Sequence, residues 1–512
     1  MEMELGFWWW VFTAFLGGFI AACVILKRAN DWFYTSRLGP SQYTTLPPGD
    51  MGWPLVGNMW FFLFAFKFGH PDSFISYFIN RFGRTGIYRA YMFGSPTIIV
   101  TAPETCRRVL MDDVQFKQGW PKSTFELLGR KSFLGISEEE HKRLRRLTAA
   151  PINGQKALSM YHEYIKDVIA TSLDELAKEE RPIEFLTEIR KITFKIIMYI
   201  FVSRESGPMV DVMEKEYAIL NHGLRAMAIN LPGFAYHKAL KARRKLVDVL
   251  QAVIDRRKAR DKSISEEKTD MLDLLLEVED ENGRNLDDEE IIDVILMYLN
   301  AGHESSAHAT MWAAFFLYKH PEYLQKAKAE QEEILRRRPS TEKGLSFKEI
   351  KQMEYLSKVI DETLRVVNVS LFTYREAKTD VDICEKFHLQ GYTIPQGWKV
   401  LVWYRGIHLD PEIYENPKEF NPSRWEGHIP LRGTFIPFGI GSRLCPGSDL
   451  TKLEISVFLH YFLLYYDGIL TSFKAKRQLP CKNQQASLIL YMNKEMGCAM
   501  GYGILSFLLL SI

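Results

Sequence analysis

The segment FIPFGIGSRLCPG, residues 435–447, places one cysteine between a glycine-rich turn and a strongly apolar run of helical spacing. Cys445 therefore lies just before a predicted helix N-terminus, where backbone N–H groups and the helix dipole favour a thiolate. A thiolate is the form that a metal requires. An inert core cysteine needs neither the glycines before it nor Pro446 and Gly447 after it. The segment predicts a metal ligand beside a flat ligand, with Arg443 as a cation for that ligand's acidic groups.

A long apolar helix is predicted from about residue 287, in the stretch DDEEIIDVILMYLNAGHESSAHATMWAAFFLYKHP. Acidic residues in its first turn suit the positive end of the helix dipole, and Pro321 ends it after about 33 residues. Its middle holds Gly302, which costs about 1 kcal/mol relative to alanine, and Glu304, which would be buried. Two interpretations remain open: close helix packing with polar residues facing a neighbouring loop, or a cavity where a carboxylate and hydroxyl groups handle protons.

The composition is that of a large globular protein with balanced charge. The chain has 512 residues, 65 Lys and Arg against 63 Asp and Glu, and a formal net charge of +2, so no general attraction to nucleic acid is expected. Its six cysteines show no CxxC or Cys/His zinc spacing, which argues against a disulfide framework or structural zinc. Residues 85–100 predict a small sheet, and amphipathic stretches beginning at residues 155, 239 and 321 predict helices. A mainly helical fold is expected.

The N-terminus predicts a membrane anchor. Residues 5–26 contain no charged side chain and are long enough for a helix to cross a bilayer. Lys27 and Arg28 follow this run and two glutamates precede it, the reverse of the charge order in a cleaved signal peptide, which is the alternative. By the positive-inside rule, the rest of the chain is expected in the cytosol. We assign residues 1–28 to a single transmembrane helix and residues 29–58, which include the proline-rich hinge PPGDMGWPLVGN, to a linker.

The segment DETLR places Glu362 and Arg365 three residues apart on one helical face. From this spacing alone the pair is expected at the surface, where such a pair contributes a few tenths of a kcal/mol. Arg424, in the proline-bearing loop EFNPSRW, is a candidate third member of a charge cluster, and an ordinary loop arginine is the alternative.

The loop FGIGSRLCPG resembles the cysteine-ligand loop FxxGxRxCxG of the cytochrome P-450 haem-thiolate monooxygenases at every fixed position. The matching residues are Phe438, Gly441, Arg443, Cys445 and Gly447. The hinge PPGDMGWPLVGN, the AGHES of the long helix, ETLR and FNPSRW match the family's motifs in the same order. The resemblance runs to about residue 466. It implies the cytochrome P-450 fold, mainly α with small β-sheets, with a monooxygenase domain over residues 59–466 and a divergent tail over residues 467–512.

Carried over position by position, the resemblance implies a haem b cofactor whose iron is bound by Cys445. The other residues placed around the haem are Arg145, Ala301, Arg375, Phe438, Arg443 and Gly447, with the three arginines as partners of the propionates. Glu304 and Ser305 would be catalytic and would feed protons to the oxygen site. The family's buried charge cluster, which supports the haem loop, would consist of Glu362, Arg365 and Arg424.

The partners implied are dioxygen, an apolar substrate and a separate reductase. No dinucleotide-binding fingerprint is present, so electrons from NADPH must come through an NADPH-cytochrome reductase. Lys142, Arg143 and Arg146, on one predicted helix, are candidates to meet its acidic face, and a solvated helix face is the alternative. An isomerase that needs no reductase is disfavoured, because AGHES retains the acid and the hydroxyl group of proton delivery.

Within the family, longer stretches are similar to plant oxidases of a diterpenoid acid in gibberellin biosynthesis. They include STFELLGRKSFLGIS, HKRLRRLTAAPINGQKAL and LRAMAINLPGFAYHKALKAR. This similarity implies successive oxidations of a diterpenoid acid at the endoplasmic reticulum membrane, with the catalytic domain in the cytosol. A triterpenoid oxidase of the same plant clade is the alternative.

The sequence departs from the family pattern at several places. Ser305 stands where the family usually has threonine, and His141 replaces a common tryptophan before Arg145. Residues 384–389, CEKFHL, resemble an insertion, and a tail without a recognisable motif replaces the family's β-hairpin after residue 466. A second hypothesis is therefore a non-catalytic, splice-type variant that binds haem poorly.

Overall fold

A computed structural model describes residues 2–39, 45–178, 183–202, 207–259, 270–341, 344–383, 391–427, 430–471 and 486–491. The helices, in chain order, are α1 (Glu2–Thr35), α2 (Met59–Lys67), α3 (Asp72–Phe82), α4 (Pro103–Met111), α5 (Lys122–Leu128), α6 (Glu138–Asn153), α7 (Gln155–Ala177), α8 (Phe185–Val202), α9 (Gly207–Leu224), α10 (Ala235–Lys258), α11 (Met271–Glu277), α12 (Asp288–Lys319), α13 (Pro321–Arg337), α14 (Phe347–Ile350), α15 (Glu354–Val367), α16 (Tyr404–His408) and α17 (Ser448–Tyr465). The strands are β1 (Ile87–Met92), β2 (Ser95–Val100), β3 (Phe116–Gln118), β4 (Ile183–Glu184), β5 (Phe372–Ala377), β6 (Val381–Ile383), β7 (Tyr392–Ile394), β8 (Lys399–Trp403), β9 (Tyr466–Thr471) and β10 (Ala486–Tyr491). The predicted insertion at residues 384–389 lies outside the described residues.

The first helix continues beyond the predicted anchor. α1 runs to Thr35, and its segment Phe12–Thr35, 24 residues long, is apolar enough to cross a membrane. The end of α1 is tied to the hinge, because the Asn30 side-chain amide donates hydrogen bonds to the Met51 and Trp53 carbonyls at 3.2 and 2.7 Å. These two hydrogen bonds fix the position of the hinge backbone relative to the end of α1.

The chain divides into two units, Met1–Gly119 with Thr373–Trp403, and Trp120–Phe372 with Tyr404–Ile512. The first unit is built on a five-stranded sheet in the order β1-β2-β8-β5-β3. β1 and β2 form an antiparallel hairpin within the predicted sheet region, and its turn lies at Phe93 and Gly94. Their φ angles of 50° and 77° are the left-handed pair that a tight two-residue hairpin turn requires.

The second unit is mainly helical, and its central element is α12. A capping box fixes the start of this helix, because Asp287 and Glu290 accept hydrogen bonds from each other's backbone N–H at 2.8 and 2.9 Å. The helix ends at Lys319, just before Pro321, as predicted. α12 packs along α8 and meets α15 and α17. Most of its side chains are buried, which explains why its sequence lacks a continuous polar face.

Two described strands belong to the predicted tail. β9 begins at Tyr466, directly after α17, and pairs in parallel with β10, which also pairs in parallel with β4. A parallel pair differs from the antiparallel hairpin that the family places here. The proposed boundaries at residues 28, 58 and 466 stay predictions.

Candidate active site

A largely apolar cavity in the second unit lies between α6, α8, α12, α15, the cysteine loop and α17. The predicted site residues that line it are Ala301, Ser305, Phe438, Cys445 and Gly447. Much of its apolar wall is formed by Ile152, Ile197, Phe201, Met297, Leu364 and Leu450. The remaining predicted site residues, which do not line it, are Arg145, Glu304, Arg375 and Arg443.

The loop before Cys445 turns sharply at two glycines. Gly439 and Gly441 have φ angles of 77° and 80°, a left-handed conformation that residues with a side chain rarely adopt. The turn lets the Cys445 N–H donate a hydrogen bond to the Phe438 carbonyl at 2.9 Å. Because α17 begins at Ser448, Cys445 lies in the cavity wall just before a helix N-terminus, as the sequence predicted.

The electrostatic environment of Cys445 differs from the sequence-based expectation. Burial raises the pKa of the Cys445 thiol, and the Gly447 N–H and Arg145 counteract this only in part. The helix N-terminus alone therefore does not hold the sulfur as a thiolate. A bound metal ion is what favours a thiolate at a buried position.

The residues beside the cavity fit a flat cofactor with acidic groups at its edge. Arg145, on α6, donates a hydrogen bond through Nη2 to the Leu444 carbonyl of the cysteine loop. Its buried Nη1 has no hydrogen-bond partner among the described residues. Arg443 is buried in the same loop, on the short 3-10 turn Gly441–Arg443. A guanidinium nitrogen without a partner, next to an apolar cavity that carries a cysteine sulfur, suits the propionate and iron of a haem.

Arg375 belongs to the first unit, on β5. Its Nη2 donates hydrogen bonds to the Leu110 carbonyl and to Asp113 Oδ1, both at 2.8 Å. Its buried Nη1 has no hydrogen-bond partner in the part of the chain that the structure describes. The role of Arg375 at a haem propionate stays a prediction.

α12 contributes the Ser305 hydroxyl group to the cavity wall and packs closely against α8 at Gly302. Ser305 Oγ donates a hydrogen bond to the Ala301 carbonyl, one turn earlier, at 2.7 Å. A Cβ atom on Gly302 would lie 2.9 Å from Ile197 Cδ1, so the glycine permits the close approach of α8. The glycine therefore serves packing, and the helix also lines a cavity with the Ser305 hydroxyl group, while proton handling there stays a prediction.

The Glu304 carboxylate forms ion pairs with two arginines. Its Oε2 lies 3.1 Å from Arg190 Nε on α8, and its Oε1 lies 3.7 Å from Arg225 Nη2, just after α9. Burial raises the pKa of the Glu304 carboxyl group, but the two positively charged arginines together have the larger effect and lower it to about 2. Glu304 is therefore ionised at neutral pH. The structure does not bring this carboxylate to the cavity wall, and its role in proton delivery stays a prediction.

The glutamate and arginine of DETLR form a buried ion pair. Glu362 Oε1 and Arg365 Nη2 lie 2.8 Å apart, and neither side chain is exposed to solvent. Arg365 also donates hydrogen bonds to the His408 and Pro417 carbonyls at 2.8 and 2.7 Å, and Arg424 Nε lies 3.4 Å from Glu362. The surface location expected from the spacing alone is wrong, and the buried cluster implied by the family resemblance is present.

Arg143 is not available to a redox partner. It is only 5% exposed, and its guanidinium group pairs with Asp280 at 2.7 Å and with Glu290 at 3.0 Å. Lys142 and Arg146 are exposed on the same helix. The docking role proposed for Arg143 is therefore wrong, while Lys142 and Arg146 stay candidates.

Sequence reasoning missed one acidic residue at the cavity. Glu454, on α17, lines the cavity and is 2% exposed. Burial raises its pKa to about 8, although the Ser306 hydroxyl counteracts this. The available signal was a glutamate within the apolar helical run LEISVFLHYFLLY, where a charged side chain is unusual.

The cysteine loop, the long central helix and the buried charge cluster occur together in one class of enzyme. The chain belongs to the cytochrome P450 family, whose family model matches residues 47–494. It is therefore a P450 monooxygenase, with haem iron as cofactor and with electrons supplied by a redox partner. The match extends past residue 466, where the recognised motifs end.

Among its relatives, ent-kaurenoic acid oxidase 2 of Arabidopsis thaliana is 60% identical, over 89% of this chain and 92% of its own. The 7,8-epoxymelianol synthase of Ailanthus altissima is 55% identical, over 91% and 92%. The solved structure of retinoic acid-bound cyanobacterial CYP120A1 is 26% identical with a TM-score of 0.72, and the match covers 82% of this chain and 91% of that one. The chain is thus similar both to ent-kaurenoic acid oxidases and to an enzyme named for another product.

Proposed function

We propose that this chain is an ent-kaurenoic acid oxidase. It would convert ent-kaurenoic acid, by way of ent-7-hydroxykaurenoic acid and gibberellin A12 aldehyde, to gibberellin A12. The observation that carries the proposal is an apolar cavity with Cys445 and Ser305 in its wall, in a chain 60% identical to an ent-kaurenoic acid oxidase. Apolar walls of this kind suit a ligand with a large hydrocarbon body.

We place the enzyme in the endoplasmic reticulum membrane, with α1 crossing the bilayer once and the remaining chain in the cytosol. The apolar segment of α1 supports the anchor, and Lys27 and Arg28 support the orientation. The redox partner would then be an NADPH-cytochrome reductase at the same cytosolic surface. Lys142 and Arg146 are its candidate contacts.

Haem iron, when bound, supplies the activation of dioxygen for insertion into a carbon–hydrogen bond. Cys445 would hold the iron through its sulfur. The residues that would hold the rest of the haem are Arg145, Ala301, Arg375, Phe438, Arg443 and Gly447. The apolar cavity wall would exclude water and so limit the loss of protons and electrons to side reactions.

Ser305 and Glu304 would move protons towards the oxygen site. Ser305 Oγ donates to the Ala301 carbonyl, which leaves its lone pairs to accept a hydrogen bond from an entering water. Glu304 is ionised, so it would act as a relay: its carboxylate would accept a proton at Oε1 or Oε2 and pass it on. The ion pairs with Arg190 and Arg225 stabilise the ionised form of the Glu304 carboxylate.

Replacing Glu304 with glutamine should leave haem binding intact and lower the yield of product per dioxygen consumed by about a hundredfold. Glutamine has nearly the same size but cannot accept and release the proton. The measurement is the ratio of product to dioxygen consumed in microsomes with reductase and NADPH. An unchanged ratio of product to dioxygen consumed would indicate that Glu304 serves helix packing alone.

Microsomes that contain the full chain and reductase should convert ent-kaurenoic acid to gibberellin A12 and the two intermediates when NADPH is added. Mass spectrometry of the products tests this directly. Samples without NADPH should show no turnover. A chain that contains haem but forms no product from ent-kaurenoic acid would contradict the proposed function.

A second candidate function is oxidation of a triterpenoid, which is favoured by the 55% identity to a 7,8-epoxymelianol synthase. The same assay distinguishes the two candidates when a neutral triterpenoid is offered beside the acid. Preferred turnover of the triterpenoid would replace the first proposal with the second.

A further inference from the structure

Two side-chain contacts join α9 and the residue that follows it to α12. Tyr217 Oη, on α9, donates a hydrogen bond to the Leu296 carbonyl on α12 at 3.3 Å. Eight residues further along each segment, Arg225 Nη2 lies 3.7 Å from Glu304 Oε1. Eight residues are about two helical turns, so a residue midway in sequence between the two contacts lies on the same side of its segment as they do.

Asn221 and Asn300 lie midway between these two contacts and are buried, at 2% and 3% exposure. Three atoms here are buried and have no hydrogen-bond partner among the described residues: Asn221 Nδ2, Asn300 Oδ1 and Arg225 Nε. Leaving such a group without a partner is unfavourable, because the group has given up its hydrogen bonds to water. The region is therefore built to receive a polar group from elsewhere.

The charges beside these atoms indicate the sign of that group. Arg190 and Arg225 both face Glu304, and within the described chain neither arginine forms an ion pair with any other acidic side chain. His303 and His308 lie beside Glu304, but burial lowers the pKa of both, that of His308 to about 4, so they are neutral at neutral pH. The cluster thus carries one positive charge in excess. The Arg190 and Arg225 side chains are partly exposed, at 31% and 25%, and an anion beside them would be stabilised by charge-assisted hydrogen bonds.

We propose that this cluster is the subsite for the carboxylate of the substrate, with Arg225 Nε and Asn221 Nδ2 as hydrogen-bond donors. One excess positive charge matches one carboxylate, and an apolar acid carries that group on a hydrocarbon body. Along α12, Asn300 directly precedes Ala301, which lines the cavity. This inference rests on the proposed function, and it explains why an acid would be preferred to a neutral triterpenoid.

The test compares the binding of ent-kaurenoic acid with that of its methyl ester, and of retinoic acid with its methyl ester. Binding to the full chain in lipid nanodiscs is followed by the change in haem absorption. We expect the unmodified chain to bind each acid about tenfold more tightly than its ester, since hydrogen bonds to charged groups contribute about 1.5–3 kcal/mol. Arg225→Gln should weaken the binding of each acid about tenfold relative to its ester and so abolish this preference. Asn221→Leu, of similar volume, should remove part of it.

Arg244→Gln is the matched control, because Arg244 is exposed on α10 in the same unit. It should retain the full preference for the acids. If Arg225→Gln also retains the preference, or weakens acid and ester equally, the subsite is overturned while the proposed function stands. If retinoic acid shows the Arg225-dependent preference but ent-kaurenoic acid does not bind, the subsite stands and the proposed function fails. If neither acid is preferred to its ester, the subsite is overturned.

Discussion

Replacing Cys445 with alanine should abolish all oxidation of ent-kaurenoic acid while the chain remains in the membrane fraction. Among the described residues of the cavity wall, Cys445 carries the one thiol, and the other sulfur belongs to the thioether of Met297 on α12. A thiolate is the iron ligand of this enzyme class. We attribute membrane retention to the apolar segment of α1, which this change does not touch. Product formation and sedimentation of the same microsomes give both results.

The matched control for this experiment is Cys23→Ala. Cys23 lies in α1 and is not among the cavity-lining residues, so it should tolerate the change without loss of product. Product formation by the Cys445→Ala chain would show that the ligand is wrongly assigned.

Replacing Glu362 with alanine should destabilise the protein by about 3–5 kcal/mol and prevent stable haem incorporation, because Arg365 would remain as an unpaired charge in the core. The same carboxylate also accepts hydrogen bonds from the Asn421 backbone N–H at 2.9 Å and Trp425 Nε1 at 3.0 Å. Its loss therefore releases the loop on which Arg424 lies. The measurement is urea unfolding of the full chain, followed by haem absorption and tryptophan fluorescence.

Glu138→Ala provides the comparison for this prediction. Glu138 pairs with the exposed Lys142 one helical turn away, at 2.8 Å, and its removal should change stability by about 0.5 kcal/mol or less. Equal effects of the two substitutions would contradict the account of a buried, indispensable cluster.

Features fixed by local chemistry could be predicted from the sequence. The turn before Cys445 needs glycines with a left-handed backbone, and α12 carries its own capping box and terminal proline. These signals lie within a few residues of the structure they determine. The end of α1 was harder to predict, because its helix continues past the apolar run to Thr35.

Features fixed by distant parts of the chain could not be predicted from spacing. The pair Glu362 and Arg365 has the spacing of a surface pair, but both side chains are buried, and Arg365 donates to the carbonyls of His408, at the end of α16, and of Pro417. Likewise, Arg190 and Arg225 determine where the Glu304 carboxylate lies, although both are more than 70 residues away in sequence. The family resemblance supplied the buried cluster but not these arginines.

The central claim is that the full 512-residue chain, with its divergent tail, forms a haem-thiolate site at Cys445. The most direct test is the carbon monoxide difference spectrum of reduced microsomes that express this chain, beside a chain with a family-like ending after residue 466. We predict the thiolate-type Soret band in both. Its absence from the 512-residue chain alone would contradict the account and favour the non-catalytic variant.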